Sequence, residues 1–294
     1  MRLYGPVMPV CRIDAELRSV LAQFLPQALQ ESVALLPVSG LSGIRWRLQG
    51  VGFDLLAREA SAKKIQIGVG RRQEFRLLRM LNDSSLAPRP LGFSARWLLI
   101  EWVPGAPMNS QGWEKVLKTG ALAGMLARLH QRQRSGYPLN LQALYEHYWV
   151  SSDPDRRSPS WLRLHKWFLR QHLPVSIRQA LLHMDVHPGN LLYQQNGGLV
   201  LIDWEYAGDG DVALELALLF FGNRLTVEER ECFLGDYVLR MPGLDRNHLR
   251  WKVDAWLPWV YYLMLLWYES RWQQTGNQDF IALGAPLHRY FSLI

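Results

Sequence analysis

Cysteine is nearly absent: Cys11 and Cys232 are the only two in 294 residues. They can build neither a disulfide framework nor a zinc-ribbon spacing, which suits a reducing, cytoplasmic compartment. Long hydrophobic runs are missing as well. The longest strongly apolar stretch without charge, Ala255–Tyr268, has 14 residues and contains Pro258. A bilayer span needs roughly 20, so no membrane partner is expected. The segment Leu3–Val10 carries two prolines and no small-residue cleavage pattern, which argues against a secretory signal. Repeats and low-complexity tracts are absent. Lysine is scarce: 27 of the 33 basic residues are arginine.

What is present is a globular composition, with 49% hydrophobic and 20% charged residues. The length allows one large domain or two modest ones. Two features stand out, a net charge of +7 and 13 tryptophans. The charge raises a nucleic-acid-binding reading, but that reading requires basic stripes or a basic motif. The basic residues instead run from Arg2 to Arg289, with only short pairs such as Arg71-Arg72 and Arg156-Arg157. Nucleic-acid binding is therefore kept only as the alternative of a different class, to be tested by a salt-dependent gel shift.

Along the chain, residues 12–30 have helical apolar spacing. Ile44–Leu48 and Phe53–Arg58 read as strands joined by a Gly50-Val51-Gly52 turn. Residues 70–82 read as a helix with Phe75, Leu78 and Leu81 on one stripe. Pro88 and Pro90 break the chain, and Trp97–Val103 reads as a buried strand. Beyond a hinge near 101–105 the pattern is mostly helical, with one long helix expected over Trp113–His130 and another over Trp161–His172. Leu181–Glu205 reads as loop, strand, turn and strand. Residues 212–221 read as a buried helix.

The strongest chemical signal is His183-Met184-Asp185-Val186-His187-Pro188-Gly189-Asn190, followed by Asp203 thirteen residues later. Phosphoryl transfer needs a carboxylate to orient the attacking hydroxyl and oxygen ligands for Mg²⁺. An Asp and an Asn five residues apart supply both from one loop. The hairpin Leu191–Ile202 returns Asp203 beside them.

These residues resemble the catalytic-loop and metal motifs of the choline kinase and aminoglycoside phosphotransferase superfamily, which is protein-kinase-like. Ile202–Asp211, Ser151–Pro154 with Arg156-Arg157, and Arg271–Gly276 are similar to the thiamine kinase family of bacteria within it. The resemblance covers about residues 35–285 and implies roles at matching positions. Asp185 would be the catalytic base, and Asn190 and Asp203 would hold Mg²⁺. His183 and His187 would shape the loop. Gly40, Ser42 and Gly43 match a phosphate-covering loop, and the backbone of Glu101 and Val103 would meet adenine. The usual strand lysine is missing; Arg58 stands at the matching position, with Lys63 and Lys64 as rivals. Glu74 would be its partner acid. A solvated surface pair is the plain alternative for Arg58 and Glu74.

The acceptor side is read from charge and rings. Residues 203–215 hold Asp203, Glu205, Asp209, Asp211 and Glu215 and no basic residue. Such an acidic surplus suits a cationic acceptor; a solvated loop entering a helix N-terminus explains it equally. Glu215 reads as structural, on one helix face with Asp211. Five tryptophans fall between Trp251 and Trp272, and aromatic faces attract organic cations, although core packing is the commoner use. Trp204, Glu205, Asp209, Trp267 and Glu269 are the acceptor-site candidates.

The expected fold is therefore a two-lobed, protein-kinase-like α+β structure: a β-rich ATP-binding lobe over 1–103 and a mostly helical catalytic and acceptor lobe over 104–294. The resemblance implies an ATP-dependent kinase that phosphorylates thiamine with Mg²⁺. Choline, ethanolamine and aminoglycoside kinases are the sibling alternatives.

Overall fold

In the first half of the chain, residues alternate between two faces of an antiparallel sheet, and one face is apolar. The computed structural model describes residues 10–30, 32–38, 44–59, 70–194 and 197–293. The chain divides into two compact units, Met1–Ala106 with Leu192–Glu205, and Pro107–Leu191 with Tyr206–Ile294. Leu192–Glu205, which the sequence reading placed in the helical lobe, thus groups with the first unit.

The first unit is built on strands β1 (Ala34–Pro37), β2 (Arg45–Gly50), β3 (Phe53–Glu59), β4 (Pro90–Phe93) and β5 (Trp97–Glu101). Their order is β1-β2-β3-β5-β4, and every neighbouring pair is antiparallel. Helix α1 (Val10–Phe24) covers one face through Ile13, Leu17, Val20 and Leu21, which pack with Leu48, Leu55, Ala57, Trp97 and Leu99. Side chains alternate with period two, so Arg45, Arg47, Asp54, Leu56 and Arg58 share the other face. Helix α2 (Arg71–Met80) turns Glu74, Leu77 and Leu78 inward. The proline expected only to break the chain opens β4. It is tolerated because β4 is an edge strand, where a missing ladder donor costs nothing. A short pair, β7 (Leu191–Tyr193) with β8 (Leu199–Leu201), is tied to the rest of the first unit by the Leu201 N–H donating to the Leu86 carbonyl at 2.9 Å.

The second unit is helical apart from a two-stranded antiparallel sheet, β6 (Gln179–Leu182) with β9 (Gly208–Asp211). Its helices are α3 (Ser110–Lys118), α4 (Ala121–His130), α5 (Leu141–Ser151), α6 (Pro159–Arg170), α7 (Val212–Gly222), α8 (Val227–Val238), α9 (Arg246–Thr275) and α10 (Asp279–Tyr290). The single helix expected over Trp113–His130 is two. Gly120 breaks it with φ +67°, and a Cβ there would lie 2.6 Å from Asp236 Oδ2. In β9, the glycine at 208 admits the neighbouring chain, since a Cβ would meet the Tyr137 carbonyl at 2.9 Å. The 30-residue α9 packs on α7, α10 and α5. It starts at an Asp245 cap and ends at Gly276 with φ +70°, a left-handed C-terminus that glycine adopts without strain. Among the described residues, no helix is long and apolar enough to cross a membrane.

Candidate functional site

The predicted chemistry falls into two clusters, one in each unit. In the second unit, the chain leaves β6 into His183 and turns at Met184, whose φ is +66°. A left-handed methionine costs on the order of 1–2 kcal/mol. Glu215 offsets this: its Oε1 accepts the N–H groups of His183 at 2.7 Å and Met184 at 2.6 Å. Its other oxygen meets His130 Nε2 at 2.5 Å, and His130 Nδ1 meets the Tyr237 hydroxyl at 2.6 Å. Burial works against the Glu215 charge, but His130 and the Met184 N–H together hold its carboxyl below the usual carboxylate range. A single acid in the apolar stretch 212–221 thus braces the loop from below.

Within the loop, Asn190 Nδ2 donates to the Asp185 carbonyl at 3.0 Å and to Asp185 Oδ2 at 2.8 Å. His183, fully buried, accepts the Asp185 N–H on Nδ1 at 3.2 Å. His187 accepts the Gly189 N–H on Nδ1 at 3.1 Å, and its Nε2 lies 3.6 Å from Asp185 Oδ1. With Nδ1 accepting, the proton of the neutral His187 ring sits on Nε2, facing the carboxylate. The Asp185 side chain remains 37% exposed, so its carboxylate is fixed in direction yet open to a hydroxyl.

In the first unit, Arg58 is buried rather than solvated. It donates through Nη1 to Glu74 Oε1 and through Nη2 to Asp203 Oδ1, and Nη2 lies 3.6 Å from Glu205. Arg71 holds the second Glu74 oxygen at 2.6 Å. Arg45 Nη2 donates to Asp203 Oδ2 at 2.8 Å. Burial opposes the Arg58 charge, but Glu74, Asp203 and Glu205 outweigh it and raise the guanidinium pKa above its ordinary value. The alternative of a solvated Arg58–Glu74 pair is thereby excluded. Asp203 adopts φ +69°, a region that aspartate visits more readily than most residues.

The remaining candidates are placed less simply. Gly40, Ser42 and Gly43, with Lys63 and Lys64, lie outside the described residues. Glu101 closes β5, its N–H bonded to the Arg89 carbonyl, and Val103 follows it. Three acceptor candidates have other partners. Trp204 is sealed in the interior and donates to the Leu201 carbonyl at 2.8 Å. Asp209 accepts from Ser135 N, Ser135 Oγ and Gly136 N at 2.7–2.8 Å, fixing the 135–136 turn. Glu269, 1% exposed, takes the Arg156 fork at 2.7 and 2.9 Å and His288 at 2.8 Å. Glu205 faces Arg58, and Trp267 packs on Tyr268 and Phe280. Asp211, besides capping α7, accepts from Trp256 Nε1 at 2.8 Å.

Among the described residues, no three His, Cys, Asp or Glu side chains converge as a metal-binding group. Taken separately, the Asn190 amide in the second unit and the Asp203 carboxylate in the first each carry an oxygen donor of the kind Mg²⁺ takes alongside several waters. With Asn190 Nδ2 turned to Asp185, Oδ1 is the donor left for a cation.

Comparison with known proteins decides the family. The model of the phosphotransferase enzyme family matches residues 56–251. The chain belongs to that phosphotransferase family. Curated relatives reach across most of it: thiamine kinase of Escherichia coli O139:H28 is 39% identical over 245 residues, 83% of this chain and 85% of that one. Thiamine kinase of Escherichia coli K12 is 38% identical over the same shares. Among solved structures, choline kinase LicA from Streptococcus pneumoniae matches with a TM-score of 0.73 at 15% identity, over 96% of this chain and 100% of that one. An ethanolamine kinase from Plasmodium vivax matches at 0.72 and 15%, over 99% and 91%. At those identities the structures establish the fold alone, and it is the helix-and-sheet, protein-kinase-like fold expected from the sequence. Within this phosphotransferase chain, Arg45, Arg71, His130, Glu215 and Tyr237 are the contributors to the two clusters to which sequence reasoning gave no part in the chemistry. A lone acid in an apolar helix was the signal for Glu215, and strand register was the signal for Arg45.

Proposed function

We propose that this chain transfers the γ-phosphoryl group of ATP to the hydroxyl of thiamine, giving thiamine monophosphate and ADP in a cytoplasmic salvage reaction. The observation that carries the transfer is the Asp185 carboxylate, half open to solvent and steered by Asn190 at 2.8 Å. The choice of acceptor rests on the 39% identity to thiamine kinases over 83% of the chain.

Asp185 accepts a hydrogen bond from the acceptor hydroxyl and takes up its proton as the phosphoryl group leaves. His187 Nε2 and Asn190 keep that carboxylate aimed, and Glu215 keeps the loop from relaxing. Arg58 replaces the lysine of related kinases. Its fork reaches Glu74 and Asp203 at once, which a single ammonium cannot do as well, and presents a phosphate-binding guanidinium on the sheet. Asn190 and Asp203 are the Mg²⁺ ligands in this reading; the bound ion would neutralise phosphate charge, the main task of catalysis in such transfers. Gly40, Ser42 and Gly43 cover the phosphates, and the backbone at Glu101 and Val103 meets the base.

The test is a kinase assay on the purified protein with ATP, Mg²⁺ and a panel of thiamine, choline, ethanolamine and an aminoglycoside. Thiamine is expected to be phosphorylated; turnover of choline without thiamine would overturn the acceptor. Asp185→Ala is expected to lower kcat by about 10²–10⁴-fold with an unchanged circular dichroism spectrum. Unchanged turnover would remove Asp185 from the mechanism.

A further inference from the structure

Arg45 and Arg58 are direct cross-strand partners in the β2–β3 ladder. Like charges placed opposite one another repel and weaken a sheet, and both of these side chains are largely shielded, with 16% and 5% of their surface exposed. The pair is reconciled by one carboxylate: Asp203 gives Oδ1 to Arg58 and Oδ2 to Arg45. Among the described residues, the charges that meet here balance at three against three, Arg45, Arg58 and Arg71 against Glu74, Asp203 and Glu205.

That balance changes if Asp203 turns to a divalent cation. Arg58 keeps Glu74 and Glu205, but the two cross-strand guanidiniums lose the anion that joins them. A phosphate oxygen is the natural replacement, because guanidinium matches phosphate as well as it matches carboxylate. We propose that Arg45 is a second phosphate-binding residue, working as a pair with Arg58 across the ladder, and that both exchange Asp203 for the nucleotide's phosphates. This rests on the ATP-dependent reading above. Arg45 is then a binding residue and, before nucleotide arrives, a placeholder that keeps Asp203 in position.

The inference predicts discrimination by phosphate. Equilibrium binding of ATP and of adenosine is measured by calorimetry on the full chain, wild type and Arg45→Ala, with thermal unfolding as the check on folding. Arg45→Ala is expected to weaken ATP binding about 10-fold, the size of one charge-assisted hydrogen bond, and to leave adenosine binding unchanged. Arg45→Lys, which keeps the charge and the fold, is expected to recover part of the loss. Equal affinity of wild type and Arg45→Ala for ATP overturns the inference while leaving the ATP-dependent reading intact. So does an equal loss for ATP and adenosine, which would mark Arg45 as merely structural. Failure of the wild type to bind ATP overturns both.

Discussion

Glu74 and Glu269 are both nearly sealed from solvent, and each binds an arginine, yet the two neighbourhoods behave differently. Around Glu74, Arg58 is shared among three carboxylates, and Arg45 and Arg71 lie on the same acids. Around Glu269, Arg156 docks its whole fork on one carboxylate and lies 4.9 Å from the Trp272 ring centre, and His288 Nε2 meets Oε1, the oxygen that Arg156 Nη2 also holds. The first arrangement leaves a guanidinium that can trade one anion for another. The second has every partner matched, and it staples the short 154–156 turn to α9. An arginine beside a buried acid is therefore no sign of a ligand site by itself. What matters is whether its partners are shared or exclusive. The acid and rings expected near Glu269 for a cationic acceptor do surround a cation, and that cation is the chain's own Arg156.

The largest effect that would sharpen this contrast comes from truncating each arginine. Arg58→Ala leaves Glu74 and Asp203 underneutralised in a buried place. It is expected to cost about 3–5 kcal/mol in urea unfolding and at least about 100-fold in kcat/KM. Arg156→Ala is expected to cost about 1–3 kcal/mol with kcat within roughly three-fold of wild type, since the residue is given no part in transfer. If steady-state kinetics found the two variants equally impaired, the distinction between shared and exclusive partners would collapse.

A middle-sized effect is expected from lysine. Arg58→Lys keeps the charge but spans Glu74 and Asp203 poorly. ATP affinity should fall less than in Arg58→Ala, and stability should lie between that variant and wild type. Arg156→Lys should register only in unfolding midpoint.

The smallest effect is a pH slope. His165 stacks on Trp149 and contacts the Tyr262 hydroxyl at 2.8 Å. Burial, helped by the Arg157 charge, pushes its pKa down to about 4 from the usual 6.5. Between those values the unfolded chain binds a proton that the folded one does not, so stability falls as pH drops through that window. His165→Gln should flatten the fall of Tm between pH 6.5 and 4. A slope unaltered by His165→Gln would assign it elsewhere.

Legibility in the sequence followed the distance over which each feature is built. The loop from His183 to Asn190 could be read because the hydrogen bonds that aim Asp185, from Asn190 and around His187, close within eight residues. Arg58 and Glu74 could be paired because a strand and the next helix suffice to bring them together. The Gly50–Phe53 turn also fixes that residue 45 faces residue 58, so Arg45 was within reach of counting. The internal partners of Asp209 and Glu269, the 135–136 turn and Arg156, lie far off in the chain, and no local pattern announces that a carboxylate is already taken. The helix break at Gly120 was missed because apolar spacing continues across it, while the steric reason for glycine is supplied by Asp236 in another helix.

The return of Leu192–Glu205 to the first unit has a consequence for how the protein is made. Arg45 and Arg58 leave the ribosome well over a hundred residues ahead of the aspartate that joins them. At elongation rates of roughly 5–20 residues per second, the nascent sheet carries two facing guanidiniums without the Asp203 they share for on the order of ten seconds. An N-terminal fragment ending near Ala106 would lack Asp203 permanently, so the first half of the chain is a poor candidate for an autonomous folding unit and completes its unit only once Leu192–Glu205 has been synthesised.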